Sequence, residues 1–460
     1  RGLGDVYKRQ QVTGVVKDAA GEPIPGANVF WMNTTNGVTT NEDGNFSIHK
    51  PARSHMLVVS FIGFENDTIH VDKGNQQLDI VLREGVELSE VNVVTRKLGT
   101  MKLRTSVMNE DMISSAELTR AACCNLGESF VTNPSVDVSY SDAATGAKQI
   151  KLLGLSGTYV QMMTENIPNF RGAAAPYGLG YVPGPWMQSI QVSKGSSSVK
   201  NGYESITGQI NVEFKKPQLP EADWVSANLF ASSTNRYEAN ADATVKLSKR
   251  WSTSLLAHYE NETKSHDSND DGFVDIPRVE QYNVWNRWAY MGDHYVFQAG
   301  IKALHETRNS GQIAHGNTPS HDLYEIGIKT NRYEAFTKNA YIFDKEKNTN
   351  LALILQGTLH NQDANYGRKL YDVDQSNFYA SLLFETELSK QHSLSAGLSF
   401  NYDGYDQNYR LTNQAEEGLT KKFVKESVPG AYVQYTFNLN DQLMLMGGIR
   451  GDYSSEYGFF

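Results

Sequence analysis

Three groups of residues in this chain could bind or react by type and spacing. The run Asp267-Ser-Asn269-Asp-Asp271-Gly272-Phe-Val-Asp275 sets oxygen-bearing side chains at loop positions 1, 3, 5 and 9, with Gly at 6. Calcium takes about six to eight oxygens, and twelve-residue calcium loops use that spacing. Such loops end on a bidentate Glu, whereas here position 12 is Arg278, so loop carbonyls or Glu280 would have to complete the shell. A calcium ion held by Asp267, Asn269, Asp271 and Asp275 and a solvated acidic loop are equally compatible with this pattern. Cys123-Cys124 could chelate a soft metal or form a strained vicinal disulfide, but packing of two small residues is the commoner use. The pair Met162-Met163 poses the same choice, again weighted towards packing. His305, His315 and His321 fall in one expected outer loop, where they could touch a metal substrate or simply be surface histidines. Catalytic patterns are absent. No HExxH or GxSxG occurs, Gly178 to Gly184 does not fit GxGxxG, and no enzymatic activity is expected.

Composition narrows the partners. Among 460 residues, 42 Lys and Arg face 52 Asp and Glu, a formal charge of −10 that leaves no basic surplus for displacing counterions from nucleic acid. No apolar run approaches the ~18 residues that a membrane helix needs. The 24 Tyr, 19 Phe, 6 Trp and 38 Gly, against 13 Pro, suit many aromatic, twisted antiparallel strands. Two Cys cannot make a disulfide scaffold.

The elements that must position these residues fall into three stretches, giving a mainly β chain. Residues 11–85 hold short β-rich runs separated by turn clusters such as Asn41-Glu-Asp-Gly44, the pattern of a sandwich of about seven strands. Residues 98–216 are mixed, an α+β domain with a short helix expected from Ser115 and strands at 150–155, 159–163 and 189–192. Residues 217–460 alternate with period two. In Tyr237 to Leu247 one face is Tyr237, Ala239, Ala241, Ala243, Val245 and Leu247, and the other is Glu238, Asn240, Asp242, Thr244 and Lys246. We count about eleven such strands of about 9–13 residues, the length of membrane strands rather than globular ones. Short links at 248–250, 292–293, 345–350, 389–391 and 440–441 alternate with long polar ones at 263–281, 306–330, 362–375 and 404–426. That segregation is expected of a transmembrane antiparallel β-barrel, of which this would be the first part, because lipid cannot satisfy an open strand edge. Residues 1–10 join no pattern and are expected to be an artefactual remnant.

Residues 189–212, SIQVSKGSSSVKNGYESITGQINV, resemble the end of the plug domain of TonB-dependent receptors. Ile190, Val192, Lys194, Gly195, Ser198, Gly202, Gly208, Ile210 and Asn211 stand in matching positions, while Ser196 replaces the usual Pro and Gln209 the second Gly. Leu153-Gly-Leu155 and Glu165-Asn-Ile-Pro168 sit where the family has Arg-Gly-Leu and Asp-Gly-Ile-Pro. Residues 11–85 resemble the carboxypeptidase-regulatory-like domain that precedes such plugs in Bacteroidetes, and the linker 86–97 resembles a TonB box. In that linker Leu88, Glu90, Val91, Val93, Val94 and Thr95 would add a strand to TonB.

The resemblance implies an outer-membrane barrel of Gram-negative cells, surrounded by lipid, with a periplasmic N-terminal domain, driven by TonB and its inner-membrane energising complex. It implies import of a scarce small molecule without a required cofactor. A siderophore, cobalamin-like or other metal chelate is the expected substrate, since the plug signature of the longer SusC-type glycan importers is missing. A glycan importer working with a surface lipoprotein, and a structural or adhesive barrel, are the alternatives. Tyr177, Tyr181 and Trp186, in a segment rich in Gly and Pro, are expected near the substrate, with packing against the wall as the competing use.

Overall fold

The computed structural model describes residues 11–18, 21–31, 37–50, 56–61, 64, 67–71, 77–82, 101–102, 109–120, 124–130, 133, 136–155, 157–195, 198–217, 225–313, 323–412, 418–439 and 443–460. The chain falls into two units, Arg1–Thr95 and Arg96–Phe460.

The first unit contains β1 (Gln11–Lys17), β2 (Asn28–Trp31), β3 (Gly37–Thr39), β4 (Asn45–His49), β5 (Met56–Ser60), β6 (Asp67–His70) and β7 (Gln77–Val81). Alternation in β1 buries Val12 and Val16 and leaves Gln11 and Thr13 in water, so one face must be covered. Two sheets, ordered β4-β1-β7 and β3-β2-β5-β6, provide that cover by sharing one core of Val16, Trp31, Phe46, Leu57 and Ile80. Trp31 is fully buried, and its Nε1 donates to the His49 carbonyl at 2.9 Å, which removes the cost of burying the indole N–H. This is the expected small sandwich.

The second unit opens with β8 (Met101–Lys102), β9 (Asn109–Ser114), the short helix α1 (Ser115–Arg120), β10 (Val136–Asp142), β11 (Ala147–Leu152), β12 (Val160–Thr164), β13 (Ile167–Pro168), β14 (Met187–Lys194) and β15 (Gly208–Phe214). A six-stranded sheet runs β13-β12-β15-β14-β9-β8, beside a separate hairpin of β10 and β11. Every residue of β15 is buried. Ile210 and Val212 pack in the apolar core, while Asn211 bonds Gln191 at 3.0 Å and Glu213 at 2.8 Å.

The remainder is one antiparallel sheet. Its strands are β16 (Val225–Ala231), β17 (Arg236–Lys246), β18 (Trp251–Glu262), β19 (Arg278–Met291), β20 (Tyr295–Gly311), β21 (Glu325–Asp344), β22 (Thr349–Tyr366), β23 (Lys369–Ser389), β24 (His392–Arg410), β25 (Thr420–Leu439), β26 (Leu443–Ser454) and β27 (Gly458–Phe459), paired in sequence order. The polar face of β17 turns inward, with Glu238 and Asn240 buried, and the apolar face turns outward, with Tyr237 and Val245 exposed. On β18 and β19, Trp251 stacks near Tyr290 at 5.1 Å and Tyr259 near Tyr282 at 4.9 Å. These outward aromatic pairs lie about 26 Å apart along the strand at ~3.3 Å per residue. Allowing for tilt, they bracket a band comparable to the ~25 Å apolar belt of membrane barrels.

Two expectations about this sheet are corrected. Strand lengths reach 21 residues in β23, beyond the 9–13 expected, and much of the polar links at 306–330, 362–375 and 404–426 is strand. Between β22 and β23 only Gly367 and Arg368 lie outside the strands, and Tyr366 pairs directly with Lys369. Above the lipid both faces meet polar surroundings, so the apolar alternation disappears while the ladder continues.

Candidate functional site

The plug docks on the inward face of the sheet through an apolar patch, where Trp186 and Phe214 meet Trp285 of the wall, and through polar groups around it. Wall side chains donate to plug carbonyls: Gln281 to Gly180 at 3.2 Å, Asn283 to Tyr181 at 3.0 Å, Arg287 to Lys215 at 2.8 Å, Arg308 to Thr145 at 3.1 Å and Arg450 to Val199 at 3.1 Å. Because these contacts run from β19 to β26, the sheet wraps around the plug. Ion pairs add to the seam. Glu128 meets Arg236 at 2.9 Å, Arg171 meets Asp403 at 2.9 Å, and Lys200 pairs with Glu385.

Glu165 is a buried carboxylate at the same seam. It sits with Asn166 in the turn between β12 and β13 at φ of 51° and 61°, a left-handed pair that the family's Asp-Gly would adopt more easily. Its carboxylate meets Arg287 at 2.6 Å and Lys338 at 3.8 Å, and the Asn166 N–H donates to Asn211 Oδ1 at 2.8 Å. Backbone in this region persists where surroundings over-determine it. Burial pushes the Glu165 carboxyl up, but Arg287, Lys338 and Lys216 outweigh it and hold it below its ordinary value.

The resembling plug segment takes a specific form. Gly195, Gly202 and Gly208 all have positive φ. At Gly208 a Cβ would stand 2.2 Å from the Ser193 carbonyl oxygen and 2.4 Å from Leu152, whereas at Gly195 it would meet nothing within 4 Å. Ser198 accepts from the Lys200 N–H at 3.3 Å and donates to Gln434 at 2.6 Å.

Between the plug apex and β22–β25 lies a cavity of about 440 Å³. Gly172, Ala173, Pro176 and Tyr177 form its plug side, and Gln362, Tyr366, Tyr371, Tyr405, Gln407 and Val424 its wall side. Gly172, at φ 58°, has no room for a side chain, since a Cβ would lie 2.3 Å from the Tyr405 hydroxyl. Gln375 ties floor to wall by accepting from the Ala173 N–H at 3.1 Å and donating to the Tyr405 hydroxyl at 3.2 Å.

Of the aromatic trio expected near a substrate, only Tyr177 lines this cavity, with the Arg308 guanidinium 4.9 Å from its ring. Tyr181 and Trp186 are fully buried in the plug core, near His360 and Trp285 at 6.3 Å each. They serve the packing alternative. Tyr366, Tyr371 and Tyr405 escaped the sequence reading, although each is an aromatic on a face that should carry polar groups. Tyr405 shares its face with the buried Asn401 and Asp403.

The other candidates are dispersed. His305 lies in β20, not in a loop, and shares a 2.7 Å hydrogen bond with Asn331, while His315 and His321 lie outside the described residues. Cys124 is buried, which pushes its thiol well up despite Arg236, and Cys123 lies outside the described residues. Met163 is buried and Met162 packs against the plug core. The TonB-box residues Leu88, Glu90, Val91, Val93, Val94 and Thr95 also lie outside the described residues.

In the acidic loop the carboxylates engage the loop's own N–H groups. Asp267 accepts from Asp271 at 3.1 Å and Gly272 at 2.9 Å, Asp271 from Phe273 at 2.8 Å, and Asp275 from Ser268 at 2.7 Å. That last bond holds the Asp275 carboxyl below its ordinary range. Asn269 accepts from the Asp271 N–H at 3.3 Å. Among the described residues no three His, Cys, Asp or Glu side chains gather as a metal site.

Known families match both units. Residues 12–94 match the CarboxypepD_reg-like domain and residues 102–209 the TonB-dependent Receptor Plug Domain. TonB-dependent receptor SusC of Bacteroides thetaiotaomicron is 28% identical over 246 residues, covering 50% of this chain and 24% of that protein. TonB-dependent receptor P39 of Formosa agariphila is 34% identical over 93 residues, covering 20% of this chain and 9% of that protein. The chain thus spans a quarter or less of these curated relatives. In fold it is similar to the ferripyoverdine receptor of Pseudomonas aeruginosa (TM-score 0.63, 14% identity, 83% of this chain and 57% of that one). The alcaligin receptor FauA of Bordetella pertussis is similar too (TM-score 0.61, 14% identity, 80% and 60%). With a regulatory-like sandwich, a matching plug and a barrel sheet wrapped around that plug, the chain carries the domain layout of the TonB-dependent receptors.

Proposed function

We propose that this receptor sits in the outer membrane, binds a scarce small molecule in the cavity above its plug, and releases it inward when TonB pulls on the segment around 88–96. The polar seam between plug and wall carries this reading. A neutral hydrogen bond there contributes only about 0.5–1.5 kcal/mol net, and one donated by an Arg about 1.5–3, because water can replace it. Around the apolar patch at Trp285 the seam can therefore be opened bond by bond under force. No reaction on the substrate is part of the proposal, and TonB's inner-membrane complex supplies the energy. A siderophore, cobalamin-like or other metal chelate expected from the sequence, and the alternative oligosaccharide delivered with a surface lipoprotein, both suit a cavity within the usual ~300–1,000 Å³.

Val93→Pro tests the proposal. Proline removes the backbone donor that strand addition needs, so import should cease while surface binding persists. Import at the wild-type rate would refute the assignment of the box. Recovery of the receptor as a soluble periplasmic protein would refute the membrane reading.

A further inference from the structure

The chemistry of the cavity lining narrows the substrate. Among the described residues that line it none is charged, and four are tyrosines. Tyr371 has a second ring behind it, Tyr409, at 6.4 Å and 38° between planes, so its position is braced. Its hydroxyl donates to Gln407 Oε1 at 3.0 Å, which fixes that amide at the cavity edge. Gln362 is 5% exposed and interacts with the neighbouring His360 side chain, so the Gln407 amide is the polar group that the cavity offers a ligand.

We infer that the cavity takes an uncharged, hydroxyl-rich ring ligand, an oligosaccharide segment, stacked on Tyr371 and Tyr405 with a hydroxyl bonded to the Gln407 amide. An anionic metal chelate would bring charge to a lining that, among its described residues, offers no cation. A ring lying flat needs a floor without side chains, and the backbone of Gly172 and Ala173 supplies one. The aromatic faces contribute dispersion and C–H contact, while the amides set orientation. Sites built around a ligand hydroxyl reject analogues lacking it far more strongly than sites built on shape alone. This inference rests on the reading of the cavity as the import site. It differs from the chelate expected from the sequence.

Binding to the receptor in detergent micelles, without TonB, tests it separately from import. The probes are a panel of uncharged hexasaccharides, α- and β-linked glucans, mannans and xylans, and one anionic ferric tris-catecholate, all followed by calorimetry. At least one hexasaccharide should bind, with affinity at least tenfold weaker in Tyr371→Ala and in Gln407→Leu. Gly172→Val should abolish binding, but its backbone conformation makes misfolding a risk, so the two wall variants carry the test. Both should keep the heat-modifiable gel mobility of a folded barrel. Binding of the ferric catecholate alone, binding of none of the panel, or hexasaccharide binding unchanged in both wall variants would each overturn the assignment. Failure of Val93→Pro to block import would refute the TonB reading and leave the binding result standing.

Discussion

Glu165 of the plug and Arg287 of the barrel wall meet at 2.6 Å, with only 3% and 2% of their side chains exposed. Arg287 also lies 4.5 Å from the Trp285 ring and donates to the Lys215 carbonyl, so its charge is held on several sides. A pair this buried is costly to break from one side, because the surviving charge stays in the interior. Glu165→Ala should therefore weaken plug docking by about 3–5 kcal/mol, while Glu165→Ala with Arg287→Met should recover most of that loss. Hydrogen exchange of residues 160–214 reads the effect. A double variant as loose as the single one would show that the pair is not the cause.

The same carboxylate predicts a direction with pH. Its folded pKa lies below the ordinary value of 4.5, so its contribution is complete above that value and is lost as pH falls through the folded pKa. The docking advantage of wild type over Glu165→Gln should be constant from about pH 8 to 5 and shrink in stronger acid. An advantage that instead faded between pH 7 and 5 would mean that the carboxyl is not held down by its cationic neighbours.

Two plug glycines should respond differently to the same methyl group. Gly208→Ala forces a Cβ to within 2.2 Å of a carbonyl in the strand pairing of β14 and β15. Gly195→Ala meets open space and bears only the cost of its φ of 85°. The second should lose about 1 kcal/mol, the first several times more, read as thermal stability of the isolated receptor. Equal losses would mean that the crowding at Gly208 is relieved elsewhere.

Calcium at the acidic loop can be decided directly. The loop's own N–H groups already occupy Asp267, Asp271 and Asp275, so its shape should survive a chelator and protease cleavage near Asp271 should be the same with and without calcium. Protection by calcium that Asp271→Ala removes would establish the cation site that the spacing suggests.

What the sequence disclosed followed from where water and lipid differ. The alternation of Tyr237 to Leu247 was readable because one face meets lipid and the other the plug, and the count of eleven strands between 223 and 453 agrees with β16–β26. The hairpin tip at Gly367 was hidden because both its faces are polar. Tyr181 and Trp186 could not be told from ligand-facing aromatics, since the same ring suits a core and a cavity. The cavity itself draws on four strands between Gln362 and Val424, and only an odd note, a tyrosine on a polar face, marks the contributions of three of them.

The overlong strands have one more consequence. β21, β22 and β23 run 20, 18 and 21 residues, about twice the 9–11 that cross a bilayer, so on the proposed outer-membrane reading the excess stands outside the cell. On that reading a visiting molecule meets a palisade of paired strands. Such an entrance holds its shape before the guest arrives, so little ordering is left to be done on capture. Selectivity would then be exercised by what fits the gateway, and a change in preferred guest would come from exchanging side chains on standing walls rather than from reshaping the mouth.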